Sequence, residues 1–241
     1  MVSIRAESLV KKMGHVAALA QVTTDFEGGM LHGLIGPDGA GKTTLIRTIM
    51  GLLRPDAGKV VYLLDGRDVP LGLVRPRMAY MPQRQSLYPD LSSLEHLEFF
   101  RDLYEIPMEI YMPRRDKLLH LTRLEDFKDR PAGKLSGGMY KKLGLMCALL
   151  QSPTVVILDE PTNGVDPISR REFWELLYGL IGEGILVVVS TAYMDEAERC
   201  GKVHLMEAGR MLAEGEPRAV LEGASAESFE EYFLRRAEVS T

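Results

Sequence analysis

The stretch "GPDGAGKTT", Gly36 to Thr44, has the residue types and the spacing to hold a polyphosphate. It fits G-x-x-x-x-G-K-[ST], with Gly36, Gly41, Lys42 and Thr43 on the fixed positions. Pro37, Asp38, Gly39, Ala40 and Thr44 complete the set of candidate nucleotide contacts. Glycines let a backbone wrap closely round phosphate and turn its N–H groups inward. A helix starting at Lys42 adds its N-terminal partial positive charge. Lys42 can reach the β- and γ-phosphates, and Thr43 can offer its hydroxyl to Mg²⁺. A nucleoside triphosphate is the expected ligand.

Two further stretches add chemistry. "VVILDE" reads as a buried strand ending in Asp159-Glu160, at the strand edge where an α/β sheet holds its ligand. Asp159 suits the Mg²⁺ shell through water, and Glu160 can polarise an attacking water as a general base. In "KLSGGMYKKLGL", Ser136-Gly137-Gly138 precede an apolar-striped helix and form a second helix start suited to an anion. One nucleotide does not need both helix starts. Two chains paired head to tail would use them, each nucleotide lying between one chain's phosphate loop and the other's "LSGGM". "VVVSTAYMDEAERC" runs an apolar strand through Ser190-Thr191 into Ala192, with an acidic helix expected beyond. Ala192 can neither donate a hydrogen bond nor hold charge at a strand end where chemistry is usual.

These groups need elements to place them. "MLHGLIG" reads as a buried strand, and "KTTLIRTIM" as a helix stopped by Gly51 and Pro55. "GKVVYLLDG" is a strand between glycine turns, and Ser92-x-x-Glu95 a capping box opening a helix with Leu97, Phe100 and Tyr104 on one face. Mostly helix follows to about Leu150. Strands return with "VVILDE", "ILVVVS" and "VHLM", and alternation with helices predicts a mainly parallel sheet. The last helix sets Phe229, Tyr232 and Phe233 toward the core. The expected plan is one α/β core, 1–84 and 151–241, with a helical lobe inserted over 85–150.

Composition limits the function. The chain has 241 residues, 46% hydrophobic and 26% charged, which suits an ordinary globular protein. A net charge of -5 argues against nucleic-acid partners. The run "RRDK", Arg114 to Lys117, reads as a solvated face. Cys147 and Cys200, in helix-like segments without metal-ligand spacing, read as reduced small hydrophobes in a cytosolic protein. No apolar h-region opens the chain, so no signal peptide is expected, and no apolar run approaches the ~20 residues of a spanning helix.

In order and spacing these motifs resemble those of the ATP-binding cassette (ABC) family, specifically the nucleotide-binding domain of ABC transporters. The resemblance implies a P-loop NTPase fold with N-terminal antiparallel strands, a mainly parallel core sheet and an inserted helical subdomain. It implies ATP and Mg²⁺ as ligands, with Gly36–Thr44 as Walker A, Asp159-Glu160 ending Walker B, and Ser136–Gly138 as the signature, Met139 standing where glutamine is commonest. Gln83 in "YMPQ" is similar to the Q-loop glutamine, a Mg²⁺ ligand and catalytic-site group hinged to the helical lobe. Asp166 in "NGVDP" is similar to the D-loop aspartate that contacts the opposite site, and with Pro167 behind it is also a good helix N-cap.

Two positions depart from the family. Met13 stands where an aromatic ring usually stacks on adenine, unless another residue covers the base. Ala192 stands where the family has the histidine that bonds the γ-phosphate and supports the catalytic glutamate. None of the five histidines lies near it in sequence. Loss of one preorganised donor lowers a rate by ~10²–10³, so this site is expected to bind MgATP and hydrolyse it slowly.

"LSGGMYKKLGL", "GVDPISRREFW" and "STAYMDEAE" resemble the N-terminal cassette of tandem subunits serving ABC-2-type exporters. The implied partners are a second cassette and an ABC-2-type permease. The implied location is cytoplasmic, peripheral on the inner face of the cell membrane. A chain ending at "RRAEVST" is compatible with an excised half or a whole subunit. Two other readings stand beside the motor. One is a regulatory module that binds ATP without turnover. The other is a soluble ABC ATPase of DNA or ribosomes, which would be expected to carry coiled-coil or basic insertions absent here.

Overall fold

Residues 31–35, 155–159 and 186–191 form strands buried at every position. Strands enclosed on both faces read as continuous apolar runs instead of alternating ones, which is why "VVILD" and "LVVVST" show no period of two. The computed structural model of the chain describes residues 1–84 and 87–239. From the N-terminus come β1 (Val2–Met13), β2 (Val16–Phe26), β3 (Leu31–Ile35) and α1 (Lys42–Ile49). Then follow β4 (Ala57–Leu64), β5 (Arg67–Val69), the single turn α2 (Leu71–Val74) and β6 (Met78–Met81). Three helices come next: α3 (Ser93–Leu103), α4 (Met108–Thr122) and α5 (Gly137–Leu149). The chain returns through β7 (Val155–Asp159), α6 (Pro167–Gly182), β8 (Leu186–Thr191), β9 (Lys202–Glu207) and β10 (Arg210–Gly215). Helices α7 (Pro217–Gly223) and α8 (Phe229–Val239) end the described chain.

Two sheets result. One is antiparallel, ordered β2-β1-β4-β5; the other is six-stranded, ordered β10-β9-β3-β8-β7-β6. Within the larger sheet β6, β7, β8, β3 and β9 run parallel, and only β10 is antiparallel to its neighbour. The expected α/β sheet is therefore present. An Ala20 N–H donating to the Gly209 carbonyl at 2.8 Å joins the two sheets. Between them α1 buries Leu45, Ile46 and Ile49 against Ile4, Leu9 and Phe26. On the far face α6 packs Phe173, Trp174 and Leu177, and α8 adds Phe229. A third cluster lies within α3, α4 and α5 around Leu97, Tyr111, Leu143 and Met146. Leu145 of α5 belongs to the sheet-side cluster, so this helix contributes to both cores.

Local chemistry explains the helix ends. At α3 the Ser92 hydroxyl accepts from the Glu95 N–H at 3.2 Å, and the Glu95 carboxylate accepts from the Ser92 N–H at 2.7 Å, closing the expected capping box. Leu97 is wholly buried, yet Tyr104 keeps 38% of its surface exposed, so that apolar stripe is covered only at one end. The acidic segment after Ala192 is a 3-10 helix, Met194–Arg199, and not an α-helix. It is a six-residue connector between extended Tyr193 and extended Cys200, a setting in which 3-10 turns are frequent. Cys200 thus lies outside a helix, although it is buried like Cys147, and burial pushes both thiols up to about 12. "RRDK" is solvated at Asp116 and at Lys117, whose 2.6 Å pair with Glu183 is exposed, whereas Arg114 is half-buried and donates to the Leu150 carbonyl at 3.1 Å.

A buried polar group links the strands on the side of β3 away from β8. His32 and His204 share a 2.9 Å hydrogen bond, Thr24 bonds His204 at 2.7 Å, and Thr24 donates to Glu214 at 2.7 Å. Burial first, then the neighbouring His204, lowers His32 from 6.5 to about 4. The unfolded chain therefore binds a proton that the folded chain refuses across that interval. Stability from this group is complete above pH 6.5 and declines as pH falls toward 4, by about 3 kcal/mol at most. Thermal melts at pH 7 and pH 5 should show a lower midpoint at pH 5. His32→Gln, which can keep a bond to His204 without titrating, should flatten that slope. An unchanged slope would place the acid sensitivity elsewhere.

Candidate functional site

The strand order β3-β8-β7 decides which residues meet. β8 lies between the strand that launches the glycine loop and the strand that ends in Asp159. Parallel register sets Ser190 opposite Asp159 and Thr191 opposite Ile35. The Thr191 carbonyl accepts from the Gly36 N–H at 3.3 Å, tying the start of the loop to β8.

Two of the loop glycines are required by close approach. A Cβ on Gly36 would lie 2.2 Å from the Met206 carbonyl oxygen. Gly41 sits at φ +104°, and a Cβ there would lie 2.4 Å from the Ala18 carbonyl oxygen. Gly41 is also the N-cap of α1, with no side chain capping the helix and no acid in its first turn. The leading N–H groups of α1 are thus arranged for an external acceptor.

Lys42 is almost wholly buried, and its ammonium donates to the Gly36 carbonyl at 2.7 Å and the Pro37 carbonyl at 3.1 Å. It also lies 3.6 Å from Glu160 Oε1. Glu160 adopts φ +47°, and its N–H is taken up by Ser190, through the carbonyl at 3.1 Å and the hydroxyl at 3.0 Å. Glu160 Oε2 accepts from the Gln83 amide at 2.6 Å and from the Asn163 amide at 3.2 Å. Asp159 accepts from Ser190 at 2.6 Å and Thr43 at 3.1 Å on one oxygen, and from Tyr80 at 3.3 Å on the other. Burial, then the Asp159 charge, raises the Tyr80 phenol above its ordinary value.

Thr43, Asp159, Glu160 and Gln83 thus form one hydrogen-bonded group through Ser190, and Lys42 joins it by its ion pair with Glu160. Pro37 enters it through its carbonyl, and the Ala40 carbonyl accepts from the Gly209 N–H at 2.9 Å, which pins the far side of the loop. Thr44 lies in α1 and accepts from Thr48 through its carbonyl at 2.7 Å. Asp38, Glu160, Asn163, Thr191, Ala192 and Tyr193 line a cavity of about 190 Å³. None of the five histidines is on that lining.

Other candidates stand apart from this group. Ser136 caps α5 by accepting from the Met139 N–H at 3.3 Å. Gly137 and Gly138 pack toward Gly164 and Ser169, where a Cβ on Gly138 would lie 2.5 Å from the Ser169 side chain. Ser136 and Gly137 are exposed, and no acid occupies the first turn of α5. Asp166 caps α6, accepting from the Ser169 N–H at 3.0 Å and the Ile168 N–H at 3.1 Å, and those bonds hold its carboxyl below the usual range. Met13, 53% exposed, closes β1 at a hairpin whose second strand carries the Ala18 backbone that abuts Gly41.

Residue type and spacing alone give no role to Tyr80, Asn163, Ser190 or Tyr193. Ser190 becomes the partner of Asp159 only through the register of β7 on β8. Thr43 and Asp159 offer hard oxygen donors side by side, which suits Mg²⁺. Among the described residues no group of three or more His, Cys, Asp or Glu is set to hold a metal by itself.

Comparison with known proteins follows the same pattern. The family model described as "ABC transporter" matches residues 19–163. The chain is 46% identical over 212 residues to the probable multidrug ABC transporter ATP-binding protein YbhF of Escherichia coli (strain K12). That match covers 88% of this chain but 37% of the relative, so the chain spans well under half of that protein's length. It is 37% identical over 215 residues to the Nod factor export ATP-binding protein I of Burkholderia lata, covering 88% of this chain and 70% of the relative. A solved structure titled "Structure of ATP binding subunit of ABC transporter" superposes with a TM-score of 0.82 at 29% identity, over 96% of this chain and 98% of that one.

The two glycines at left-handed φ in the loop should respond differently to alanine. Gly41→Ala meets backbone and should destabilise by roughly 2–4 kcal/mol. Gly39→Ala, at φ +78° with open space around the new Cβ, should cost only about 1 kcal/mol. Urea unfolding of both variants measures the difference, and equal losses would contradict the contact assigned to Gly41.

Proposed function

The chain belongs to the ABC transporter family as an ATP-binding domain, and from that premise we propose that it is a motor subunit whose own catalytic site is impaired. In this reading Gly36–Thr44 bind the triphosphate, with Lys42 on the β- and γ-phosphates. Thr43, Asp159 and Gln83 face Mg²⁺, and Met13 gives a soft apolar contact to the base. When bound, Mg²⁺ neutralises charge developing on the phosphate oxygens. Glu160 takes the proton of the attacking water.

The observation that carries the proposal is the cavity in which Glu160 faces Ala192. The general base is retained and already held by Gln83 and Asn163. The strand-end donor that would bond the γ-phosphate is replaced by a methyl group. Hydrolysis is therefore slowed and not abolished. The competing reading, ATP binding without turnover, draws on the same alanine, and turnover in the assembled complex decides between them.

Partners follow from what one chain leaves incomplete. The exposed helix start at Ser136–Gly138 would close over the nucleotide of a second cassette, with Asp166 reaching across as D-loop. A permease of ABC-2 type would seat on the helical lobe, where Tyr88, Phe99, Leu103 and Tyr104 expose apolar surface. An adjoining groove is lined by Tyr80, Met81, Pro82, Leu87, Phe100 and Tyr104, and so begins on the strand that leads to Gln83. That continuity lets a state change at Gln83 reach the permease. No described helix is long and apolar enough to cross a membrane. With a permease as partner, the chain would sit peripherally on the cytoplasmic face of the cell membrane. Export is supported by relatives whose names include multidrug transport and Nod factor export.

Ala192→His should raise turnover at this chain's own site by up to ~10²-fold in the complex with its partner cassette, leaving MgATP affinity within a few-fold. Equal hydrolysis at both sites of the unmodified complex would sink the impaired-site reading. Failure to bind MgATP at all would sink the whole proposal.

A further inference from the structure

Resting on that reading, we propose that Asn163 and Tyr193 are positioning residues that keep the Glu160 carboxylate in place where the strand-end histidine is missing. Among the described residues three side chains reach the Glu160 carboxylate: Lys42 at 3.6 Å, Gln83 at 2.6 Å and Asn163 at 3.2 Å. Two of them have other duties once nucleotide arrives, Lys42 on the phosphates and Gln83 on the cation. Asn163 has none. It lies three residues beyond Glu160 on a turn closed by its own N–H, which donates to the Glu160 carbonyl at 3.3 Å. Both ends of the side-chain bond therefore ride on one short backbone unit, and the contact persists through the cycle.

The amide must face the right way. Tyr193 sets it: the phenol donates to Asn163 Oδ1 at 3.5 Å, which leaves Nδ2 toward Glu160. Tyr193 directly follows Ala192 and lines the same cavity. Its ring lies 4.5 Å under the Arg170 guanidinium, a cation–π contact from α6. Arg170 is held in turn by Asp195 at 3.4 Å, beside Glu196, which accepts from Thr162 at 2.8 Å and Trp174 at 3.1 Å. The turn after β7 and the connector after β8 are thereby braced against α6 from both sides. Asn163 and Tyr193 are both exposed, so their substitution leaves the core intact.

The test uses the full chain assembled with its partner cassette, the partner's own catalytic glutamate replaced by glutamine, so that turnover reports this site. Binding of a fluorescent ATP analogue with Mg²⁺ is measured beside kcat. Asn163→Ala, which removes the donor, should lower kcat about tenfold with Kd within twofold. Tyr193→Phe should lower kcat by about threefold. In the Ala192→His background the loss from Asn163→Ala should shrink below twofold, because the histidine takes over support of Glu160. An unchanged kcat in Asn163→Ala, an equal loss in both backgrounds, or binding without any turnover overturns this inference and leaves nucleotide binding standing. Absence of MgATP binding in the unmodified complex overturns both.

Discussion

A buried ammonium faces a buried carboxylate at the strand ends of the parallel sheet. The Lys42 and Glu160 side chains are 4% and 8% exposed and 3.6 Å apart. Two charges withdrawn from water this far are tolerated only if their remaining hydrogen-bonding capacity is filled. It is filled here by loop carbonyls on one side and by the Gln83 and Asn163 amides on the other. The pair comes from opposite flanks of β8, one from the loop after β3 and one from the end of β7. Any change of strand order would separate them. The sheet order is thus a requirement of the site, and the fully buried β8 is the wedge that sets its width.

The glycine loop, the acidic strand end, the capping box at Ser92 and the parallel sheet each rest on short-range spacing, and each is legible in the linear sequence. What escapes such a reading lies across strands. Ser190 and Tyr80 grip Asp159 from both sides of β7, and that follows from register, which a one-dimensional string does not display. Asn163 has the composition of ordinary turn filler, and only the fold of its turn brings its amide onto Glu160. The segment after Ala192 carries helical composition but folds as a 3-10 connector between extended Tyr193 and extended Cys200, a hydrogen-bond pattern that composition does not display.

Helix α5 joins the two parts of the molecule. It starts at the exposed Ser136 cap, gives Leu143 and Met146 to the helical cluster, and gives Leu145 to the sheet side. Lys142, mostly buried, pairs with Glu172 of α6 at 2.6 Å. Lys141 donates to the Gln83 carbonyl at 3.4 Å. Burial lowers the Lys141 ammonium, while the charges of Glu160 and then Asp159 oppose that shift. One helix therefore touches the segment carrying Gln83, helix α6 and both apolar clusters. On the proposed reading it would link the nucleotide site to the face offered to a second cassette.

On the proposed reading the effect of Ala192 is local. Ala192 lines the cavity formed by Asp38 of this chain's own loop, Glu160, Asn163, Thr191 and Tyr193. The Ser136–Gly138 start, which on the proposed arrangement serves the nucleotide of the partner, is not on the lining of that cavity and keeps its cap and its acid-free first turn. A chain can therefore be deficient in the site it builds and complete in the site it finishes for another. Paired with a cassette that has its own histidine, it would give two unequal sites, one holding ATP through several turnovers of the other. On this reading such a pair would keep one interface half closed by bound nucleotide while the other opens. That would limit separation of the cassettes, so an impaired site would not by itself preclude transport.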